Sequence, residues 1–137
     1  MNLKLQVVPL ARIHQTWPLV QDFLAEAMKW SGDDYTVDQA KALLAQGSWL
    51  LLVAVDEENV IHGAASVNFI NMPISRIAFI TYLGGKLISS RDTYAQMVQI
   101  FKQFGATKIQ GAARESIARL WSRYGFEERY RIVEAKI

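Results

Sequence analysis

Whatever chemistry this chain performs, it performs without a thiol. Cysteine is absent, and His14 and His62 are the only imidazoles. Thiol nucleophiles, iron–sulfur clusters and thiolate zinc sites are therefore excluded, and two isolated histidines make no metal site, so no metal is expected. The densest group of usable residues is Gly84-Gly85-Lys86, followed closely by Ser89-Ser90-Arg91. Glycines allow main-chain amides to approach an anion. Lys86 could add its charge to a phosphate. The run is not a Walker loop, because that loop needs a glycine five residues before its Gly-Lys and a Ser or Thr after it, where this chain has Ile80 and Leu87. The plain alternative is a turn by which the chain leaves a strand.

Three other groups carry chemistry in principle. His62, between Ile61 and Gly63, is either a lone general base or a hydrogen-bonded structural histidine. Asp33-Asp34 could attract a protonated amine, or simply cap a helix and stay solvated. Charge is unevenly spread: residues 1–74 carry four Lys/Arg against eight Asp/Glu, and residues 75–137 carry eleven against five. Such a basic half can attract phosphate, from a nucleotide-containing cofactor or from nucleic acid. Arg114, Arg119, Arg123, Arg129 and Arg131 form no known nucleic-acid motif, so a solvated or subunit-facing surface is favoured over a nucleic-acid partner.

The elements that position these groups follow from length and pattern. At 137 residues and 51% hydrophobic content, a single domain with one core is expected. The longest apolar run, Trp49 to Val55, is far short of the ~20 residues that span a membrane. Residues 1–9 hold no sustained apolar stretch, so no secretion signal is read and a cytoplasmic location is expected. Leu3–Val8 reads as a strand stopped by Pro9. From about His14 to Trp30, Trp17, Val20, Leu24 and Ala27 recur at helical spacing, with Pro18 expected in the first turn. Thr36-Val37-Asp38-Gln39 reads as a capping box opening a second helix that Gly47 ends. Ser48–Val55 is apolar on both faces, Asp56–Asn59 a hairpin turn, and Val60–Asn71 and Ile74–Leu83 are strands separated by Pro73. A helix from about Ser90 to Gly105, a strand Thr107–Ala112, a helix Glu115–Tyr124 and a last strand Phe126–Ile137 complete the order β-α-α-β-β-β-α-β-α-β. Short turns imply antiparallel neighbours, and the strand-helix-strand units imply parallel ones. The result is an α/β fold with a mixed central sheet and helices on both faces. Trp17, Trp30, Trp49 and Trp121 are read as core or groove lining.

This order, together with the stretch Ala113-Arg114-Glu115-Ser116-Ile117-Ala118-Arg119-Leu120-Trp121-Ser122-Arg123-Tyr124-Gly125-Phe126-Glu127, resembles the GNAT superfamily of N-acetyltransferases. The Gly84-Gly85 pair is similar to short, divergent members found in bacteriophage genomes, for which a virion-associated location is the alternative. The resemblance implies acetyl-CoA as acyl donor and a small-molecule or protein amine as acceptor. It implies that the strands Ile74–Leu83 and Thr107–Ala112 part, leaving the backbone of Thr81, Tyr82 and Leu83 to hold the pantetheine arm. Gly84, Gly85, Lys86, Ser89, Ser90 and Arg91 would then lie toward the pyrophosphate.

The chain departs from the family pattern at two places. The family's pyrophosphate loop carries two glycines, and aligning the helix through Met97 and Val98 puts Asp92 and Tyr94 there. Many members place a proton-donating tyrosine four residues before the Gly of Gly-Phe, where this chain has Trp121, leaving Tyr124 as the candidate acid and His62 as a candidate base. A GNAT fold that has lost its chemistry and serves as a binding or structural protein, such as a phage accessory or assembly protein, is the competing expectation. The apolar residues Val133, Ala135 and Ile137 in the last strand suggest a homodimer.

Overall fold

The computed structural model describes residues 2–137. Five strands lie side by side in chain order: β1 (Lys4–Val7), β2 (Leu50–Val55), β3 (Ile61–Met72), β4 (Ser75–Gly85) and β5 (Lys108–Gly111). Neighbours are antiparallel up to β4, and β4 pairs with β5 in parallel. The helices are α1 (Ile13–Met28), α2 (Val37–Ala45), α3 (Arg91–Gln103) and α4 (Glu115–Ser122).

Each face of the sheet has its own core. Ile13, Trp17, Val20 and Leu24 of α1, with Ala40 and Leu44 of α2, pack on Leu51, Val53, Ala64 and Tyr82. Met97 and Phe101 of α3 and Trp121 of α4 cover the opposite face, over Leu52, Ala65, Val67, Ala78 and Ile80. The central strand β2 is consequently buried on both sides. Gln96 of α3 ties that helix to β1: its side-chain oxygen accepts from Leu5 N at 2.8 Å and its amide donates to Leu3 O at 3.0 Å.

Several local readings of the sequence are met. Thr36 and Gln39 form the capping box at the start of α2. Gly47 and Gly105 stop their helices at φ of +83°. Pro73 and Ile74 form the turn between Met72 and Ser75, which pair across the β3–β4 hairpin.

Two details differ. Pro18 lies inside α1, a full turn beyond its start, because the helix begins already at Ile13. An interior proline costs about 3 kcal/mol. The four buried side chains of α1, worth about 1.5–3 kcal/mol each on burial, offset it. The expected last strand is also absent: residues 126–137 take no helix or strand conformation, and residues 127–137 are exposed. A strand exists only by pairing, and among the described residues nothing pairs with this segment. The α/β mixed sheet with helices on both faces stands without it.

Candidate functional site

The parallel ladder joins Ile77–Ile80 of β4 to Lys108–Gly111 of β5 and stops there. Strand β4 continues to Gly85, held only on its other edge by β3. The main chain of Thr81, Tyr82 and Leu83 is thus unpaired on the side where β5 has ended. The fork coincides with an irregularity: Val67 faces Ile80 and Ser66 faces Tyr82, so Thr81 is an extra residue in β4. A bulge of this kind interrupts a ladder and re-aims the main chain. Its side chains lock it in place. The Ser66 and Thr81 hydroxyls are 2.6 Å apart, and Thr81 Oγ1 donates to the Ser66 carbonyl at 2.9 Å.

Trp121 reaches the fork from α4. It is buried and lies over Gly111, where an added Cβ would come within 3.0 Å of its ring and 3.6 Å of the Ile80 carbonyl oxygen. Beyond Trp121, Tyr124 stacks on Tyr94 of α3 with centroids 5.2 Å apart, and Phe126 closes against both Tyr94 and Trp121. Tyr124 therefore stands beside the second turn of α3, between the two helices that flank the fork on this face.

Past the fork, Gly84 is fixed by packing. A Cβ there would lie 2.0 Å from the carbonyl oxygen of Phe23, so the missing side chain is what lets α1 lie directly on β4. Gly85 turns the chain at φ of +70°, and Lys86 N donates to His62 O at 2.8 Å. Leu87 and Ile88 are buried anchors, while Lys86, Ser89, Ser90 and Arg91 are exposed between them and α3. At the start of α3 three amides are already used, and among the described residues no hydrogen bond takes those of Arg91 and Asp92. Ser90 Oγ accepts from Thr93 N at 3.1 Å, and Thr93 Oγ1 accepts from Ser89 N and Ser90 N at 3.0 and 3.1 Å. Sequence reading had placed this helix but not its Ser90/Thr93 capping box, since a threonine in the third helical position is a weaker signal than Glu or Gln. Asp92 lies in the same turn and accepts from Gln96.

The ring of His62 faces away from this run. Its Nε2 is 2.8 Å from Asp56 Oδ2 in the β2–β3 hairpin. That bond, and main-chain donation from Val60 and Glu58, holds the Asp56 carboxyl below its usual range. Thr81 to Arg91 thus form one continuous path from the fork to α3, with Tyr124 in the turn that follows α4 and His62 bonded into the β2–β3 turn.

The other face of the fork is aromatic and acidic. The side chain of Tyr82 points toward α1 and α2, 6.3 Å from Trp49 and 6.5 Å from Tyr35 by ring centroid. Burial is the main cause that pushes its phenol above the usual value. The nearby Ser31 hydroxyl opposes this, and Asp34 and Tyr35 add to it, so Tyr82 remains a neutral hydroxyl. Asp33-Asp34 belongs to the loop over this phenol. From the end of the same loop's helix, the exposed Trp30 carries the guanidinium of Arg114, 4.0 Å above its ring. Arg114 precedes α4, so this contact joins the α1–α2 connection to the strand β5 side. Tyr35, Ser31 and the Trp30–Arg114 pair were not legible in sequence, since only the tertiary fold brings residues 30–35 next to residues 82 and 114.

The fold is the GNAT fold, a single mixed sheet in which β5 stops short of the end of β4. Solved structures of similar fold include the BH1408 protein of Bacillus halodurans, with a TM-score of 0.70 at 11% identity, covering 98% of this chain and 99% of that one. A predicted acetyltransferase from Clostridium acetobutylicum, determined with acetyl-CoA, matches at TM-score 0.65 and 16% identity over 98% and 96%. An aminoglycoside acetyltransferase from an uncultured soil metagenomic sample, in complex with sisomicin, matches at 0.69 and 15% over the same shares. No protein-family model matches the chain, and no curated protein does. Among the described residues no helix is long and apolar enough to cross a membrane.

Proposed function

We propose that the chain binds acetyl-CoA in the β4–β5 fork and transfers the acetyl group to an amine. The observation that carries this reading is the early end of the β4–β5 ladder at Ile80 and Gly111, with a locked bulge at Thr81. Unpaired main-chain groups beside a core are costly unless something pairs with them, and the amides of a pantetheine arm have the matching donors and acceptors. The residues fit the donor unequally along its length. Thr81, Tyr82 and Leu83 suit the arm. At the phosphate end the amides of Ser89, Ser90 and Thr93 are committed to the capping box, which leaves the amides of Arg91 and Asp92 and the charges of Lys86 and Arg91 to hold phosphate.

Acetyl-CoA when bound supplies an activated acetyl thioester. The chain's contribution is to orient it, to shield it from water and to receive the amine beside it, and positioning of this kind can supply ~7–11 kcal/mol of a barrier. On the acceptor face Asp33 and Asp34 draw a protonated amine toward the neutral Tyr82 hydroxyl. Tyr124 is the candidate proton donor to the departing thiolate, and Gly84, Gly85 and His62 shape the exit of the path. The similar aminoglycoside acetyltransferase supports a small-molecule amine as acceptor.

A second reading, a GNAT fold that binds without catalysing, draws on a specific observation of its own. Trp121 fills the helix position over the fork, and Asp92 sits in the first turn of α3, where a pyrophosphate would be repelled. A thiol-release assay separates the two readings cleanly, because a chain without cysteine gives no background. With acetyl-CoA and a panel of aminoglycosides, polyamines and lysine peptides, amine-dependent thiol release that falls at least tenfold in Tyr124→Phe is expected. Release no faster than the uncatalysed reaction with every amine would overturn the transferase reading.

A further inference from the structure

We propose, on the basis of acetyl-CoA binding in the fork, that recognition of the donor ends at its first phosphate, so that an acetyl thioester of phosphopantetheine serves this chain as well as acetyl-CoA. With either donor the amine nitrogen attacks the thioester carbonyl, the carbon–sulfur bond breaks, and the sulfur takes up the proton that the nitrogen loses. The two donors differ only beyond the first phosphate, where acetyl-CoA adds a second phosphate and a phosphorylated nucleoside. The main chain of Thr81–Leu83 is open to the arm that both share.

The start of α3 has little left to offer a larger anion. The capping box consumes the amides of Ser89, Ser90 and Thr93, and in this turn, among the described residues, only those of Arg91 and Asp92 have no hydrogen bond. Two amides with the charges of Lys86 and Arg91 suffice for a single phosphate. A second phosphate in the same turn meets the carboxylate of Asp92, and like charges repel. That carboxylate is held in place. Asp92 Oδ2 accepts from Gln96 Nε2 at 2.9 Å, and Gln96 is tied in turn to Leu3 O and Leu5 N. Swinging Asp92 aside would break its bond to an anchored partner.

The surroundings of that turn do not take over. No lysine or arginine lies between Arg91 and Lys102 along α3. Toward the turn after α4, the rings of Tyr94, Tyr124 and Phe126 pack on one another. Where the start of α3 meets Asn2 and Leu3, a recess of about 270 Å³ lined also by Ser89, Ser90, Asp92 and Thr93 brings one carboxylate and no cation. Phosphates beyond the first therefore gain no ion pair on α3 and stay in water, where the nucleotide adds little to binding.

Titration calorimetry of the full chain with CoA, phosphopantetheine and pantetheine tests this without an acceptor. CoA and phosphopantetheine are expected to bind within about fivefold of one another, and pantetheine, which lacks the phosphate, at least tenfold more weakly. Asp92→Asn keeps an acceptor for Gln96 and removes the charge, so it should tighten CoA at least threefold and leave pantetheine unchanged. CoA that binds more than fivefold tighter than phosphopantetheine would overturn the proposal while acetyl-CoA binding in the fork stands; Arg119 or Arg123 gripping the nucleotide would give that result. Pantetheine within tenfold of phosphopantetheine, or an Asp92→Asn chain with unchanged affinity for CoA, would also overturn it. No binding of any of the three would overturn both this proposal and acetyl-CoA binding itself.

Discussion

Replacing Gly84 by alanine tests whether that glycine exists for packing. The new Cβ would lie 2.0 Å from the Phe23 carbonyl oxygen and 2.6 Å from its carbon. Carbon and oxygen rest at about 3.3–3.6 Å even in weak hydrogen-bonded contact, so α1 must move off β4 by roughly 1 Å. A gap of that size forfeits a quarter to a half of the dispersion energy across it. Ile13, Trp17, Val20 and Leu24 of α1 contribute about 1.5–3 kcal/mol each through burial, so a loss of about 3 kcal/mol follows. For a chain of this size that is a fall of about 10 °C in Tm. Urea unfolding followed by tryptophan fluorescence measures it, with Gly125→Ala as the control. Gly125 has φ of +98° and nothing within 4 Å, so its alanine variant suffers backbone strain alone, about 1–2 kcal/mol. A Gly84→Ala loss below about 1 kcal/mol, or one no larger than the control, would refute the packing argument.

Other consequences are open to measurement. The Asp56 carboxyl is held low in the folded chain, so its stabilisation is complete above the ordinary carboxylate pKa of 3.8 and is lost as pH falls through the lower folded value. Asp56→Asn should flatten that acid limb in denaturation midpoints measured from pH 5 downward, and an unchanged limb would contradict the assignment. Trp121→Tyr places a phenol at the helix position over the fork, and acetyl transfer should rise at least tenfold, toward the ~10²–10⁴ that general acid catalysis contributes. A well-folded variant with an unchanged rate would show that this position does not face the reacting atoms. A double-mutant cycle of Trp30→Ala and Arg114→Ala should return a coupling of about 0.5–1 kcal/mol, and zero coupling would mean that the stack does not hold in solution.

The sequence was most informative where local chemistry decides structure. Thr36 with Gln39, Gly47 and Gly105 mark their helix ends through side-chain and main-chain rules that act within a few residues, and all three appear as read. Pro18 falls beyond the first turn because α1 begins already at Ile13, and apolar spacing marks the face of a helix more sharply than its first residue. The segment 126–137 has strand composition, but strand formation depends on a partner edge, which composition does not reveal. Within the candidate site, the run from Thr81 to Arg91 was visible because it is contiguous. The Tyr35–Trp49–Tyr82 cluster and the Arg114–Trp30 stack join residues dozens of positions apart. The glycine pair reads in sequence as either a phosphate contact or a strand-exit turn, and at Gly84 the fold adds a helix crossing that needs the missing side chain.

The central claim is that the open main chain at Thr81–Leu83 takes up acetyl-CoA, and thermal unfolding with and without the ligand tests it most directly. A ligand specific for the folded chain at a hundred times its Kd stabilises by about 2.7 kcal/mol, so acetyl-CoA should raise Tm by about 10 °C. Plain CoA should give a similar shift. No shift with either at millimolar concentration would contradict the claim.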